Sequence, residues 1–305
     1  MDNKALSSKK TDSEGINEKI DKRLLDIIEL LKEAPQLEKL NNFLDIGMGK
    51  GEILKWLSEK GKKCTGTGIS FSLYNISSEE LINKYGIIAI ECDAESMPFQ
   101  DKNFDGIIMS HVLEHCSNVG NVLKEVRRIL SDEGWLFLFV PPHESKICSG
   151  HISTGWNIGQ LMYVLLLNGF DVKNGKFIHY GYNICAFVQK SKTILPPILG
   201  DIGDISLLQK NGLFPLPIIS SDGSNNCFFG NIRSINWDPS SEILRKINTV
   251  QYSNTNKIFF SFFIIFSNIL PKKIRQLLGN ILLKGGKILN GEEINNSINP
   301  KVLKG

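Results

Sequence analysis

The chain has 305 residues, of which 42% are hydrophobic and 22% charged, and its formal net charge is +3. These values fit a globular protein with one full-sized core and an appendage, and the small charge argues against nucleic acid as a partner. The six cysteines include no C-x-x-C pair, and the first residues lack the apolar core of a signal peptide. We therefore expect a cytoplasmic protein.

Residues 1–36 predict a disordered lead followed by one amphipathic helix. Apolar residues recur at helical spacing from Ile16 to Leu31, and Pro35 lies just beyond the end of that pattern. We expect this helix to pack against the domain that follows, at residues 37–190.

Strand and helix patterns alternate from residue 43 onwards. We predict strands at 43–46, 63–69, 87–91, 104–109 and 134–140, and helices at 51–59, 77–84, 119–130 and 157–167. Two further strands, at 170–177 and 183–189, are joined by a short turn, so one of them should be antiparallel. Strands separated by helices predict an α/β fold, with a mostly parallel sheet covered on both faces.

The composition changes after Lys190, where Gly, Ser, Asn and Pro become frequent, so we predict a boundary and an accessory region at 191–305. Its apolar segment, 258–270, is too short to span a membrane. We predict that this segment is a buried helix or strand of a small cap. The alternative is that the segment and the basic residues that follow it, at 258–287, contact a membrane surface peripherally.

The most informative pattern is FLDIGMGKG at residues 43–51, a buried strand that runs into a turn with glycines at alternate positions. Such a turn lets a ligand lie against the backbone, and the helix N-terminus behind it favours nucleotide-like groups. The dinucleotide pattern G-x-G-x-x-G would need a glycine in place of Glu52. The chain instead has the pattern G-x-G-x-G, formed by Gly47, Gly49 and Gly51, with Asp45 before it. The alternative interpretation is a tight turn with a purely structural role.

A second pattern, CDAESMPFQDKNFDGIIMSHVLEH at residues 92–115, combines an acidic loop, Phe-Asp, an apolar strand and Leu-Glu-His. Together the two patterns resemble the class I S-adenosylmethionine-dependent methyltransferases, in the type 11 branch. The resemblance is strong over 43–140 and extends in outline to 190. It implies a Rossmann-like, doubly wound sheet of seven strands with one antiparallel, S-adenosyl-L-methionine as cofactor, and methyl transfer as the activity.

The resemblance also implies which residues bind the cofactor. The three glycines would lie against its amino-acid and ribose portions, and Asp45 would fix the turn and the methionine amino group. Asp93 would accept the adenine amino hydrogens, and the Ala94 N–H would reach a ring nitrogen. Ser110, at the end of the strand before the Leu-Glu-His block, is a further candidate contact.

One position departs from the family pattern. The family places an acid that binds both ribose hydroxyls at the end of the second strand, where this chain has Gly68. Loss of that carboxylate should weaken cofactor binding by about 1.5–3 kcal/mol unless another group replaces it. Ser70 and Ser72 are the nearest substitutes in sequence. The alternative is a non-catalytic binding or scaffold protein with the same fold.

Residues 111–115 also spell H-x-x-E-H, a pattern of zinc proteases. Two histidines four residues apart bind one metal only when both lie on a helix face. This segment follows a strand and precedes a helix that begins near Asn118. We therefore expect no metal site, and we interpret Leu113, Glu114 and His115 as a loop beside the cofactor.

The acceptor should bind at the loops after residues 110, 140 and 180, above the carboxyl ends of the strands. A sugar hydroxyl needs its proton removed by a histidine or a carboxylate in reach. The candidate catalytic residues are His143, His115, Glu144 and His151. Aromatic residues that could form a stacking wall are Tyr180, Tyr182 and Trp156.

Residues 150–172, GHISTGWNIGQLMYVLLLNGFDV, resemble branch members found among enzymes of surface-polysaccharide biosynthesis. This resemblance implies a small-molecule or glycan acceptor and O-methylation of a sugar or glycan intermediate. Methylation of another small molecule is the alternative.

Overall fold

The computed structural model describes residues 22–74, 77–143, 150–200, 204–215, 218–219, 227–228, 232–237 and 240. The described helices are α1 Lys22–Lys32, α2 Glu52–Ser58, α3 Ser78–Tyr85, α4 Val119–Ile129, α5 Ile158–Leu167 and α6 Asp204–Lys210. The strands of the predicted domain are β1 Asn42–Ile46, β2 Lys63–Gly68, β3 Ile88–Glu91, β4 Phe104–Ser110, β5 Leu130–Val140, β6 Lys176–Tyr180 and β7 Asn183–Val188. Three short strands follow, β8 Ile218–Ile219, β9 Cys227–Phe228 and β10 Ser234–Ile235.

The sheet has the strand order β10-β6-β7-β5-β4-β1-β2-β3. Strands β1 to β5 pair in parallel, and β7 lies antiparallel between β5 and β6. This confirms the mostly parallel α/β sheet and its antiparallel strand. The order reverses between β1 and β4, and in open α/β sheets ligands bind at the carboxyl ends of the strands beside such a reversal.

Polar side chains begin two of the helices. The Ser77 Oγ accepts a hydrogen bond from the Glu80 N–H at 3.1 Å, and the Asn157 Oδ1 accepts one from the Gln160 N–H at 2.8 Å. Each bond satisfies an N–H that the first turn of a helix leaves without a partner. Gly86 ends α3 in the left-handed conformation, which costs glycine little.

The prediction of a strand at 170–177 was wrong in its position. Residue Phe170 makes one bridge to Lys190, but the regular strand is β6. Between them the Asp171 carboxylate accepts hydrogen bonds from the backbone and side-chain nitrogens of Asn174, at 3.1 and 2.8 Å. This local turn competes with strand pairing, so the regular strand begins only at Lys176.

The sheet has eight strands where seven were predicted. The additional strand is β10, which lies beyond Lys190 and pairs antiparallel with Phe177 and Ile178 of β6. The Asn236 Nδ2 then donates hydrogen bonds to the carbonyls of Lys173 and Gly175, at 2.8 and 2.9 Å. A strand of two residues shows no periodic pattern in the sequence, so its presence depends on its pairing with β6. The predicted boundary after Lys190 stays a prediction.

Both faces of the sheet are buried. Alternate residues of β5, including Leu136 and Leu138, belong to one hydrophobic cluster with residues of α4 and α5. The intervening Phe137 and Phe139 lie on the other face, where their rings pack edge-on against Phe187. A strand buried on both faces reads as a continuous apolar run, which is why β5 was readily predicted.

Helix α1 is tied to the same domain by two aromatic donors. The Tyr180 hydroxyl donates to Glu29 Oε2 at 3.0 Å, and the Trp237 indole N–H donates to Glu33 Oε2 at 3.1 Å. The helix therefore packs on the domain, as expected from its apolar stripe.

Several predictions fall on residues that lie outside the described part of the chain. They are the lead at 1–15, the first turns of the predicted helix, Glu144, and the membrane-contact segment 258–287. Among the described helices, none has the length and apolar character needed to cross a membrane.

We predict that Gly106→Ala destabilises the protein, because a Cβ on Gly106 would overlap the buried ring of Phe43 on the neighbouring strand. Overpacking of this kind costs about 1–3 kcal/mol in the free energy of unfolding, which urea titration measures. Gly120→Ala is the control, because the added methyl comes no closer than 3.7 Å to the Asn168 Oδ1. Equal stability of the two variants would contradict the prediction.

Candidate functional site

A cleft of about 430 Å³ opens at the carboxyl ends of β1 to β4. Its lining residues lie at 46–49, 67–71, 92–95, 111–112 and 115–117. These segments contain the predicted contacts Gly47, Gly49, Gly68, Ser70, Asp93 and Ala94 and one candidate catalytic residue, His115. Three other predicted contacts, Asp45, Gly51 and Ser110, are not among the lining residues.

The turn after β1 has glycine at positions 47 and 49 for two different reasons. At Gly47, with φ of +72°, a Cβ would overlap the side chain of Val112. At Gly49, with φ of +54°, nothing lies within 4 Å of where a Cβ would be. The Met48 N–H donates to the Thr67 carbonyl at 2.9 Å and ties the turn to β2. The turn therefore presents open backbone to the cleft, as a closely held ligand requires.

Asp45 lies behind this turn and is only 2% exposed. Its Oδ1 is buried and has no hydrogen-bond partner. Burial, followed by the nearby Glu52 carboxylate, raises the pKa of Asp45 from an ordinary value near 3.8 to about 8. An unpaired buried carboxyl oxygen is costly, and a ligand amino group would relieve that cost.

At the end of β2, an aromatic side chain from the following turn lies beside Gly68. The ring of Phe71 lies 3.2 Å from the place where a Cβ on Gly68 would be. The Phe71 N–H donates to Glu91 Oε1 at 2.6 Å, which holds that turn against the end of β3. Of the two proposed substitutes, Ser70 lines the cleft, and its Oγ lies 2.8 Å from the Oγ of Ser72.

The loop that carries Asp93 is held by its own backbone and by α4. Asp93 Oδ1 accepts a hydrogen bond from the Glu95 N–H at 2.9 Å. Further along, Arg128 donates to the carbonyls of Phe99 and Met97, at 2.8 and 3.2 Å, and the same guanidinium pairs with Glu125. The hydrogen bonds to Glu125 and then Asp101 raise the pKa of Arg128, and its bonds to the two carbonyls hold the loop at the edge of the cleft.

His111 lines the cleft in the left-handed conformation, with φ of +55°. Its Nδ1 lies 3.1 Å from Glu114 Oε1, and its Nε2 lies 2.8 Å from Asn183 Oδ1. The ring of Tyr182 stacks on it at 5.9 Å. Both ring nitrogens are engaged, so His111 and His115 do not form the helix-face pair of a zinc protease.

His115 ends a short 3₁₀ turn, Leu113–His115, and its Nδ1 lies 2.7 Å from the carbonyl oxygen of Gly150. The ring of His151 meets it edge-on, with the centroids 5.1 Å apart. Two of the four candidate catalytic residues therefore lie together. His143 is exposed, and its N–H donates to the Trp156 carbonyl at 2.9 Å.

Two of the three expected wall aromatics have other roles. Tyr180 is buried and bonded to α1, as described above, and Trp156 is buried with its indole N–H donated to the Ser153 carbonyl at 3.0 Å. They belong to the packing of the domain because their polar atoms already have partners inside it. Only Tyr182 lies against a residue of the cleft.

The sequence patterns assigned His111 no role in the site, placed Glu114 in a loop beside the cofactor without a role of its own, and gave no sign of Phe71 beside Gly68. The H-x-x-E-H pattern was interpreted only as that loop or as a protease motif. Phe71 carried no signal, since its position depends on how the chain turns after β2.

We predict that Asp45→Asn raises the free energy of unfolding of the ligand-free protein, and more so as the pH rises. A carboxyl whose pKa is raised in the folded state contributes fully to the free energy of unfolding below pH 3.8. This contribution is lost as the pH rises through about 8. The difference between variant and parent should grow by up to about 1.4 kcal/mol per pH unit, measured by urea titration at pH 5, 6.5 and 8.

Asp132→Asn serves as the control, because Asp132 is exposed and its pKa is lowered by its hydrogen bond to Lys102. That variant should differ from the parent by a constant amount between pH 5 and 8. A constant difference for Asp45→Asn as well would show that its carboxyl is already ionised in the folded protein.

Comparison with known proteins shows which family of domains the cleft-containing region is similar to. Residues 44–138 match the family model described as a methyltransferase domain, of type 11. The sterol 4-C-methyltransferase strm-1 of Caenorhabditis elegans is 28% identical over 127 residues, covering 40% of this chain and 37% of that protein. The demethylmenaquinone methyltransferase of Thermotoga maritima is 29% identical over 134 residues, covering 43% and 55%.

A solved S-adenosylmethionine-dependent methyltransferase from Aquifex aeolicus shares 20% identity with a TM-score of 0.46, covering 54% of this chain and 89% of that one. The chain spans about a third to a half of the length of the two curated relatives above. The matched segment includes the glycine turn, the Asp93 loop and the Leu113–His115 turn. Residues 44–138 thus match the methyltransferase domain of type 11.

Proposed function

We propose that the whole chain is an S-adenosylmethionine-dependent methyltransferase acting on a hydroxyl group of a small-molecule or glycan acceptor. The observation that carries this proposal is the cleft itself. An open glycine turn lines one part of it, with the unpaired buried carboxyl oxygen of Asp45 behind that turn. His111 and His115 line another part, and Glu114 is hydrogen-bonded to His111 behind them.

The residues of the first side fit the cofactor. Asp45 would accept a hydrogen bond from its amino group, the backbone at Gly49 would lie against it, and Asp93 and Ala94 would hold its adenine. When bound, S-adenosylmethionine supplies an electrophilic methyl group on a sulfonium. Positioning the acceptor in line with that methyl is the main task left to the protein, and it accounts for several kcal/mol of catalysis.

The residues of the second side fit a hydroxyl acceptor. His115 lines the cleft, and beside it are His151 and the His111–Glu114 pair. Groups of this kind remove a hydroxyl proton or hold the oxygen that loses it. Residues 150–172 resemble members of the branch found among enzymes of surface-polysaccharide biosynthesis. This segment provides His151, and its residues Ile152 and Ser153 are hydrogen-bonded to Glu114 and Cys116, which supports a sugar or glycan intermediate as acceptor.

The Gly68 position favours weak cofactor binding. Phe71 lies where a ribose-binding carboxylate would otherwise extend, and of the two proposed substitutes, Ser70 is the one that lines the cleft. A non-catalytic binding protein with this fold is the alternative that the first experiment below excludes or supports.

We expect calorimetric titration to detect binding of both S-adenosylmethionine and its demethylated product to the protein, at micromolar to millimolar concentrations. Asp93→Asn keeps the hydrogen bond from the Glu95 N–H but loses the anionic acceptor, so binding should weaken about 10-fold, or by about 1.4 kcal/mol. Asp132→Asn, at the exposed end of the sheet, should bind as the parent does.

Absence of binding at millimolar cofactor would overturn the enzyme proposal and leave the non-catalytic alternative. Equal binding by Asp93→Asn and the parent would instead show that the adenine lies elsewhere in the cleft.

We expect transfer of radiolabelled methyl to a hydroxyl acceptor in a screen of nucleotide sugars and lipid-linked sugars. The curated relatives are named for sterol and demethylmenaquinone methylation, so a sterol and a demethylated quinone form the second arm. Label only in the second arm would contradict the sugar acceptor while leaving the methyltransferase proposal in place.

A further inference from the structure

We propose that Glu114, His115 and His151 bind one divalent transition-metal cation at the acceptor side of the cleft. Each residue provides one ligand atom, and the three atoms lie within 4.8 Å of one another. Metal bonds of about 2.1 Å place tetrahedral ligands roughly 3.4 Å apart, so side-chain shifts on the order of 1 Å complete the site. This proposal replaces the expectation, from the sequence, that the chain has no metal site.

The first independent observation is the state of Glu114. The residue is 1% exposed, and although Oε1 accepts a hydrogen bond from His111, Oε2 is buried without any partner. Among the described residues the only other carboxyl oxygen in this condition is that of Asp45. A buried carboxyl oxygen without a hydrogen bond is costly, and binding a cation would relieve that cost, so Glu114 Oε2 fits the part of a metal ligand.

The second observation is the hydrogen bond of His115. Its Nδ1 donates to the carbonyl of Gly150 at 2.7 Å, because a carbonyl can only accept. That bond selects the tautomer in which Nε2 carries the lone pair, and metal-binding histidines usually have their second nitrogen held in this way. His111 has the corresponding supporting role for Glu114, since both of its ring nitrogens are engaged.

The third observation is that His151 is held beside the turn by several bonds. The N–H groups of Ile152 and Ser153 donate to the Glu114 carbonyl at 2.6 and 3.0 Å. The Ser153 hydroxyl donates to the Cys116 carbonyl at 2.7 Å. The segment that carries His151 is therefore fixed to the same short turn that carries Glu114 and His115.

Two imidazoles and one carboxylate are the donor set of many zinc and other first-row metal sites with an open position. His115 is exposed and lines the cleft, so the site faces the space where an acceptor would bind. If the proposed function holds, the cation would bind the acceptor oxygen and lower the pKa of its hydroxyl, a task otherwise left to a free imidazole.

The test uses the full chain, freed of metal with a chelator, and titration with Zn²⁺ alone. We expect one Zn²⁺ per chain and at least about 10-fold weaker binding for His151→Ala and for Glu114→Gln. His111→Asn tolerates the left-handed backbone but loses the ring that holds Glu114, and it should weaken binding about 10-fold to 100-fold. The visible spectrum of bound Co²⁺ should change in the same three variants.

His143→Ala is the matched control, since the chain has five histidines and His143 is an exposed one outside the cluster. It should bind Zn²⁺ as the parent does, and thermal unfolding should show every variant to be folded. If the parent binds no Zn²⁺, or if His151→Ala and Glu114→Gln bind it as tightly as the parent, the metal site is overturned.

Cofactor titration of the same samples separates this result from the proposed function. Cofactor binding without Zn²⁺ binding contradicts the metal site alone. Zn²⁺ binding that depends on the cluster, without cofactor binding, contradicts the methyltransferase proposal and leaves the metal site standing.

Discussion

The cleft depends on a contact that leaves no room for a side chain, between the backbone of Gly47 and the side chain of Val112. Gly47 belongs to the turn after β1, and Val112 belongs to the segment after β4. These are the adjacent strands at which the order of the sheet reverses. Because the two segments are already packed together, neither the glycine turn nor the Leu113–His115 turn can shift alone, and both sides of the cleft keep one spacing.

Much of the fold was predictable because its signals are local. Apolar periodicity located α2 to α5 and β1 to β5 to within a few residues, and the glycines after β1 marked the cleft. The displaced start of β6 was not predictable in the same way, because the Asp171 carboxylate builds a turn inside an otherwise strand-like stretch. Strand β10 exists only through its pairing with β6, and two residues carry no pattern of their own.

The site was predictable where residues are close in sequence. Gly47, Gly49 and Asp93 line the cleft as the patterns indicated. The pairing of His115 with His151 was not predictable, because it depends on hydrogen bonds from the 152–153 backbone to Glu114, far apart in the chain. In the H-x-x-E-H pattern the metal-binding partner of His115 would be His111, whereas in the structure His111 faces Glu114 and Asn183.

Asp45 and Glu114 share a property, a buried carboxyl oxygen without a partner, and each lies one or two residues from a segment that lines the cleft. For Asp45 this has a consequence for proton balance. A carboxyl with a pKa near 8 is mostly protonated in the empty protein at neutral pH, and a cationic amino group beside it lowers that pKa. If the amino group of S-adenosylmethionine binds at Asp45 as proposed, binding releases a proton to the buffer, so the affinity should increase with pH up to about 8 and the apparent binding enthalpy should depend on the ionisation heat of the buffer.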